Sequence, residues 1–168
     1  MNDAPPRRAE TPSVDIQIQS PLWHGEKATE QTVRDAIAAA AAALSTADGE
    51  VAILLTDDET IRALNRQWRG IDKPTNVLSF PAANPDIARF LGDIAIAYET
   101  LKRECGEESR EFHHHLAHLT VHGFLHLVGY DHETNADAAA MEGLESRIMA
   151  RLNMPDPYRG RDIEPGEA

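Results

Sequence analysis

Cysteine is almost missing from this chain: Cys105 is the only one in 168 residues. No intramolecular disulfide can form, and stability has to come from a buried core, which a chain of this length can build as a single domain. Long apolar runs are missing too. There is no stretch of about 18 or more apolar residues and no signal-type hydrophobic segment, so the expectation is a soluble, cytoplasmic protein with no membrane association. Positive charge is scarce: 16 basic side chains face 28 acidic ones, for a net charge of -12. That balance is the opposite of what a sequence-blind phosphate binder carries and argues against broad affinity for nucleic acid. It leaves room for one local cluster of cations, or for a metal ion, to hold a single phosphodiester. Internal repeats and low-complexity segments beyond a run of alanines are also lacking.

Between a Pro/Arg/Ala-rich arm (1–13) and a polar tail (155–168), both expected to be flexible, residues 14–154 carry the periodicities of one catalytic domain. Val14-Asp15-Ile16-Gln17-Ile18-Gln19 alternates as a strand with one buried face. Residues 28–45 place Val33, Ile37 and Leu44 at helical spacing. EVAILL (50–55) suits an interior strand, and Thr56-Asp57-Asp58-Glu59 then caps a helix running to about Trp68. TNVLSF (75–80) and LGDIAIA (91–97) lean towards strand, and helical pattern returns at about 108–128 and 136–152. With no regular βαβ alternation, the fold class is α+β: a mixed sheet of four or five strands packed with helices.

Seven of the eight histidines lie between residues 113 and 132. On a helix, residues four apart share a face about one turn, roughly 6 Å, apart, so His122 and His126 can aim at one point. Gly129 readily takes the left-handed conformation that ends a helix, and Tyr130-Asp131 turns the chain so that His132 approaches from the side. The metal site is therefore expected on a helix and the turn after it. Numbered from His122, the ligands stand at positions 1, 5 and 11 with Gly at 8, the spacing of the H-E-x-x-H-x-x-G-x-x-H signature of metzincin proteases. Three neutral imidazoles leave a coordination position open for water, as in a catalytic zinc site, and such an ion lowers the pKa of its water towards roughly 7. His118 extends the same face and suits a supporting or core role, His113, His114 and His115 suit solvated or helix-start positions, and His24 has no partner in sequence.

In a metzincin the residue after the first ligand is the glutamate that acts as general base; here it is Gly123, and the protease reading loses its base. A phosphodiester asks instead for positive charge on its non-bridging oxygens. Arg66-Gln67-Trp68-Arg69-Gly70-Ile71-Asp72-Lys73 gathers three cations around a turn, which fits either a phosphate clamp or an ordinary solvated helix end. Asp93, Asp131 and Glu142 are carboxylates that could orient a ligand histidine, with Asp131 favoured because it adjoins His132.

HGFLHLVGYDH (122–132), RGIDKPTNVLSFP (69–81) and LGDIAIA (91–97) resemble the three signature blocks of the YbeY family of endoribonucleases. The likeness covers about residues 50–155 in the right order. It implies zinc ligation by His122, His126 and His132, one ion per site, and a functionally required arginine at Arg69. It further implies a metal-dependent, single-strand-specific endoribonuclease that matures the 3′ end of small-subunit (16S) rRNA and serves ribosome quality control. Its partners would be single-stranded rRNA and the small-subunit particle with its proteins. Two other readings stay open on the residues: a metalloprotease with a three-His zinc site, and a non-catalytic, metal-stabilised ribosome-assembly factor. A three-imidazole site also accepts nickel or another divalent metal.

Overall fold

A computed structural model describes residues 11–45, 48–83 and 89–159. Most of the expected N-terminal arm and residues 160–168 of the expected tail lie outside the described residues. Residues 155–159 do not behave as a loose tail. The Arg110 guanidinium donates to the Pro157 carbonyl (2.7 Å), Ser146 donates to Asp156 (2.8 Å), and the Tyr158 hydroxyl donates to Glu145. Pro157 is buried by this docking.

The sheet has four strands: β1 (Ser13–Ile18), β2 (Glu50–Thr56), β3 (Val77–Pro81) and β4 (Phe90–Ala97), in the spatial order β1-β2-β4-β3. β1 and β4 run parallel to β2, and β3 is antiparallel to β4. The fold is thus α+β with a mixed sheet. Period-two alternation sends one set of side chains to each face. One row across the sheet reads Ile16, Ile53, Ile94 and Ser79, so an apolar surface ends at its β3 edge in a hydroxyl.

Helices α1 (Thr29–Ala43) and α4 (Phe112–Leu127) lie on the face that carries this row, and α5 (Asn135–Arg151) packs against both of them. Their shared core includes Val33, Ile37, Ile53, Ile94, Leu116, Phe124, Leu125 and Ile148, each at most 1% exposed. Burial of one such large side chain contributes about 1.5–3 kcal/mol. Trp23, in a short 3-10 turn over Pro21–Gly25, donates from Nε1 to the Thr56 carbonyl (2.9 Å) and meets Tyr98 edge-on.

The second face carries α2 (Asp58–Arg69), which starts where the Asp57 carboxylate accepts from the Thr60 amide (2.9 Å) and covers a smaller cluster of Ile61, Leu78, Ala95 and Ala97. A further helix, α3 (Tyr98–Glu108), follows β4 without a break, where the sequence pattern placed helix only from about residue 108. Ser109, at φ 53°, ends it, and α4 begins at Phe112. No helix among the described residues is long and apolar enough to cross a membrane.

Candidate metal centre

α4 presents His122 and His126 from adjacent turns of one face, with ring centroids 4.6 Å apart. Gly129 takes φ +102°, and the amides of Gly129 and Tyr130 close back on the carbonyls of His126 and Leu125 (3.2 and 3.0 Å). This left-handed stop reverses the chain and brings His132 to the other two, its ring centroid 5.9 Å from His122 and 5.2 Å from His126. One nitrogen from each of the three rings lies within 4.8 Å of the others. His122 and His126 are half-buried and His132 is exposed, so the cluster opens on one side to solvent.

The proton positions decide what this cluster can hold. Nδ1 of His126 sits 2.9 Å from the Tyr130 carbonyl, which can only accept, so that nitrogen carries the hydrogen. Nδ1 of His122 lies 2.6 Å from Oε1 of Glu145. Burial would raise the Glu145 carboxyl, but hydrogen bonds from His118, His122 and Tyr158 outweigh it and bring the pKa to about 2. The carboxylate is therefore ionised and Nδ1 of His122 is the donor. The two Nε2 atoms face each other at 3.1 Å, close enough to share one cation, whether a proton or a metal ion. Burial and then the neighbouring His122 push His126 below the ordinary imidazole range, which keeps it neutral and able to ligate. The donor set fits a divalent ion: three convergent imidazoles, two with the opposite nitrogen anchored.

The anchoring carboxylate is not one the sequence singled out. Glu145 lies on α5 and is fully buried (0% exposed). Asp131 instead accepts from the Glu133 amide (3.4 Å), and Asp93 lines a different cavity. Glu142 sits one turn before Glu145 on α5. His118 stays outside the ligand trio, with its Nε2 3.4 Å from Glu145, as a supporting residue would. His115 stands at the helix start, the second of its two expected positions, and is not solvated: it is 5% exposed and bonds Glu104 at 3.0 Å, because it faces inward on the first turn of α4.

Arg69 is the last residue of α2, which stops at Gly70 (φ 70°). With His122, His126 and His132 it lines one cavity of about 550 Å³, walled also by residues of β3. It is exposed, and no hydrogen bond or ion pair engages its guanidinium among the described residues. Arg62, by contrast, is held by Asp72 (2.9 Å).

Gly123 stands where α4 is pressed against the sheet. A Cβ there would lie 2.9 Å from Ile94 Cγ2 and 3.1 Å from Ser79 Oγ, and the Ser79 hydroxyl donates to the Gly123 carbonyl at 3.1 Å. A side chain on it would crowd β3 and β4.

Residues 16–153 match the family model described as Endoribonuclease YbeY. A Nitrobacter winogradskyi protein named Endoribonuclease YbeY is 55% identical over 160 residues, covering 90% of this chain and 84% of its own length. Its namesake from Rhodopseudomonas palustris strain BisA53 is 55% identical over 159 residues, with 90% and 92% covered. Another from Bradyrhizobium strain BTAi1 is 53% identical over 160 residues, with 90% and 95% covered. Among solved structures, a Thermotoga maritima protein in solution matches 92% of this chain and 99% of its own at 25% identity, with a TM-score of 0.48.

Proposed function

From the premise that this chain belongs to the YbeY family of endoribonucleases, we propose that it cleaves single-stranded RNA in a metal-dependent reaction. Its substrate in the cell is the 3′ end of small-subunit rRNA, met in the cytoplasm on the ribosomal particle and its proteins. The observation that carries the reading is the meeting of three convergent imidazoles and an unpaired arginine in one cavity.

His122, His126 and His132 would hold the ion, and zinc suits an all-imidazole donor set. When bound, it supplies positive charge to a phosphoryl oxygen and acidifies water. The remaining work belongs to the chain. Glu145 fixes the tautomer and tilt of His122, and the Tyr130 carbonyl does the same for His126. Arg69 grips the non-bridging oxygens of the scissile phosphate and stabilises the charge that builds on them. The acidic surface suits an enzyme whose RNA is presented by a particle, since it then needs little affinity of its own for phosphate. A peptidase base has no place to stand at Gly123, where the helix packs on the sheet.

Metal analysis of untagged protein, paired with cleavage of a defined single-stranded rRNA fragment, tests this. Chelation should abolish cleavage, one equivalent of zinc should restore it, and a duplex of the same sequence should resist. Cleavage that survives full chelation, or metal-dependent hydrolysis of peptides in place of RNA, would overturn the proposal.

A further inference from the structure

The apolar stripe of α2 outruns the sheet it covers. Ile61, Leu64 and Trp68 follow one another at helical spacing, and exposure rises along the row: Ile61 is buried, Leu64 half-buried and Trp68 65% exposed. The other tryptophan of the chain, Trp23, is 1% exposed. Trp68 is braced from one side, where its ring meets Phe80 of β3 edge-on with centroids 6.2 Å apart and planes at 60°. Beside it a second cavity, of about 670 Å³, opens on the sheet's second face, floored by Leu54, Leu78 and Ala95. This cavity and the histidine cavity share Arg69, Leu78, Ser79 and Pro81, so the two adjoin along β3 with the arginine between them.

We infer that Trp68 is a stacking platform for a base of the RNA strand whose phosphate Arg69 holds. This rests on the endoribonuclease reading and gives that site its contact with the base. The occupant follows from the pairing of neighbours. A nucleotide offers an anion to the unpaired guanidinium and a π-face to the adjoining indole at once, whereas an apolar peptide laid in the groove would cover Arg69 without supplying an anion. The same contact accounts for single-strand specificity, because a base inside a duplex has both faces stacked and cannot reach an indole at the groove wall.

Trp68 is its own reporter. Intrinsic fluorescence of the metal-free protein is titrated with a short single-stranded RNA, with the same length of abasic ribose-phosphate, and with duplex RNA. The single strand should quench the exposed tryptophan, while the abasic strand and the duplex should not. Trp68→Ala should lose the quenching and, with metal restored, raise KM for the single strand by about 10-fold or more, the scale of one lost base–aromatic stack. Trp68→Tyr should recover most of the affinity, and thermal melts should leave both variants near the wild type because the residue is exposed. Wild-type cleavage with unchanged binding and KM in Trp68→Ala would overturn the platform and leave the endoribonuclease reading standing. A defect seen on ribosomal particles but not on free RNA would also overturn it and make this face a protein dock. Wild-type protein that neither binds nor cuts single-stranded RNA would overturn the function itself.

Discussion

Replacing Glu145 by glutamine separates a metal centre from a chance gathering of histidines. The carboxylate is buried, accepts from His122 Nδ1 at 2.6 Å and from the Tyr158 hydroxyl, and has His118 at 3.4 Å. Its pKa of about 2, against an ordinary 4.5, corresponds to about 3 kcal/mol in favour of the charged form. Glutamine keeps the volume, so no cavity opens, and its carbonyl can still serve one donor. It cannot serve both His122 and Tyr158 as the two carboxylate oxygens do, and it withdraws the negative charge that makes His122 a stronger ligand. The loss in metal affinity should therefore be part of that 3 kcal/mol: a dissociation constant higher by about 10- to 100-fold, or about 1.4–2.7 kcal/mol. Competition against a chromophoric chelator measures it, with circular dichroism to confirm the fold. Tyr158→Phe, which leaves the His122 bond in place, should weaken the metal only a few-fold. A Glu145→Gln protein that folds and binds metal within about twofold of the wild type would refute the reasoning, and Glu145 would then serve only to dock the C-terminal turn.

Arg69→Ala should leave fold and metal content unchanged and lower RNA cleavage by about 10²-fold or more, with Arg69→Lys recovering only part of it, as single-turnover kinetics on an rRNA fragment would show. Gly123→Ala should gain about 1 kcal/mol of helix propensity but force Ile94 and Ser79 apart, for a net loss of about 1–2 kcal/mol in denaturant melts; a stabilised variant would show that the α4–sheet contact is not tight. Burial holds the His115 imidazole below its ordinary range, so the unfolded chain takes up that proton first. Stability is present above about pH 6.5 and falls as the pH drops below it. In chelated protein, the melting temperature of His115→Gln should decline less than that of the wild type between about pH 7.5 and about pH 5.5, and parallel curves would exclude a buried, neutral His115.

What the sequence showed of the fold was what local periodicity carries. The four strands were visible because alternation and short apolar runs are properties of neighbouring residues. α3 was not, because Ala97 offers no side-chain cap, its few apolar residues Tyr98, Leu101 and Cys105 are diluted by charge, and it ends on Ser109 where a glycine would have marked the stop. The burial of His115 was hidden for a related reason. Three consecutive histidines point in three directions on a helix, and only packing against Glu104 decides which one is inside.

The site divides along the same line. Three histidines within eleven residues, with Gly129 between them, form a local pattern, so the convergence of His122, His126 and His132 could be read before any fold was known. The carboxylate that fixes His122 arrives from α5, 23 residues further on, and in sequence Glu145 looks like any acid on an amphipathic helix; Asp131 seemed better placed only because proximity in sequence was the one guide. The absence of a glutamate at 123 was legible, but its cause was not. Glycine is required there because α4 must approach Ser79 and Ile94 closely, and that same approach lays the two ligand histidines along the edge strand that leads to Arg69. The packing that crowds any side chain at position 123 is thus the packing that puts the arginine and the three histidines around one cavity, a contact only the folded protein reveals.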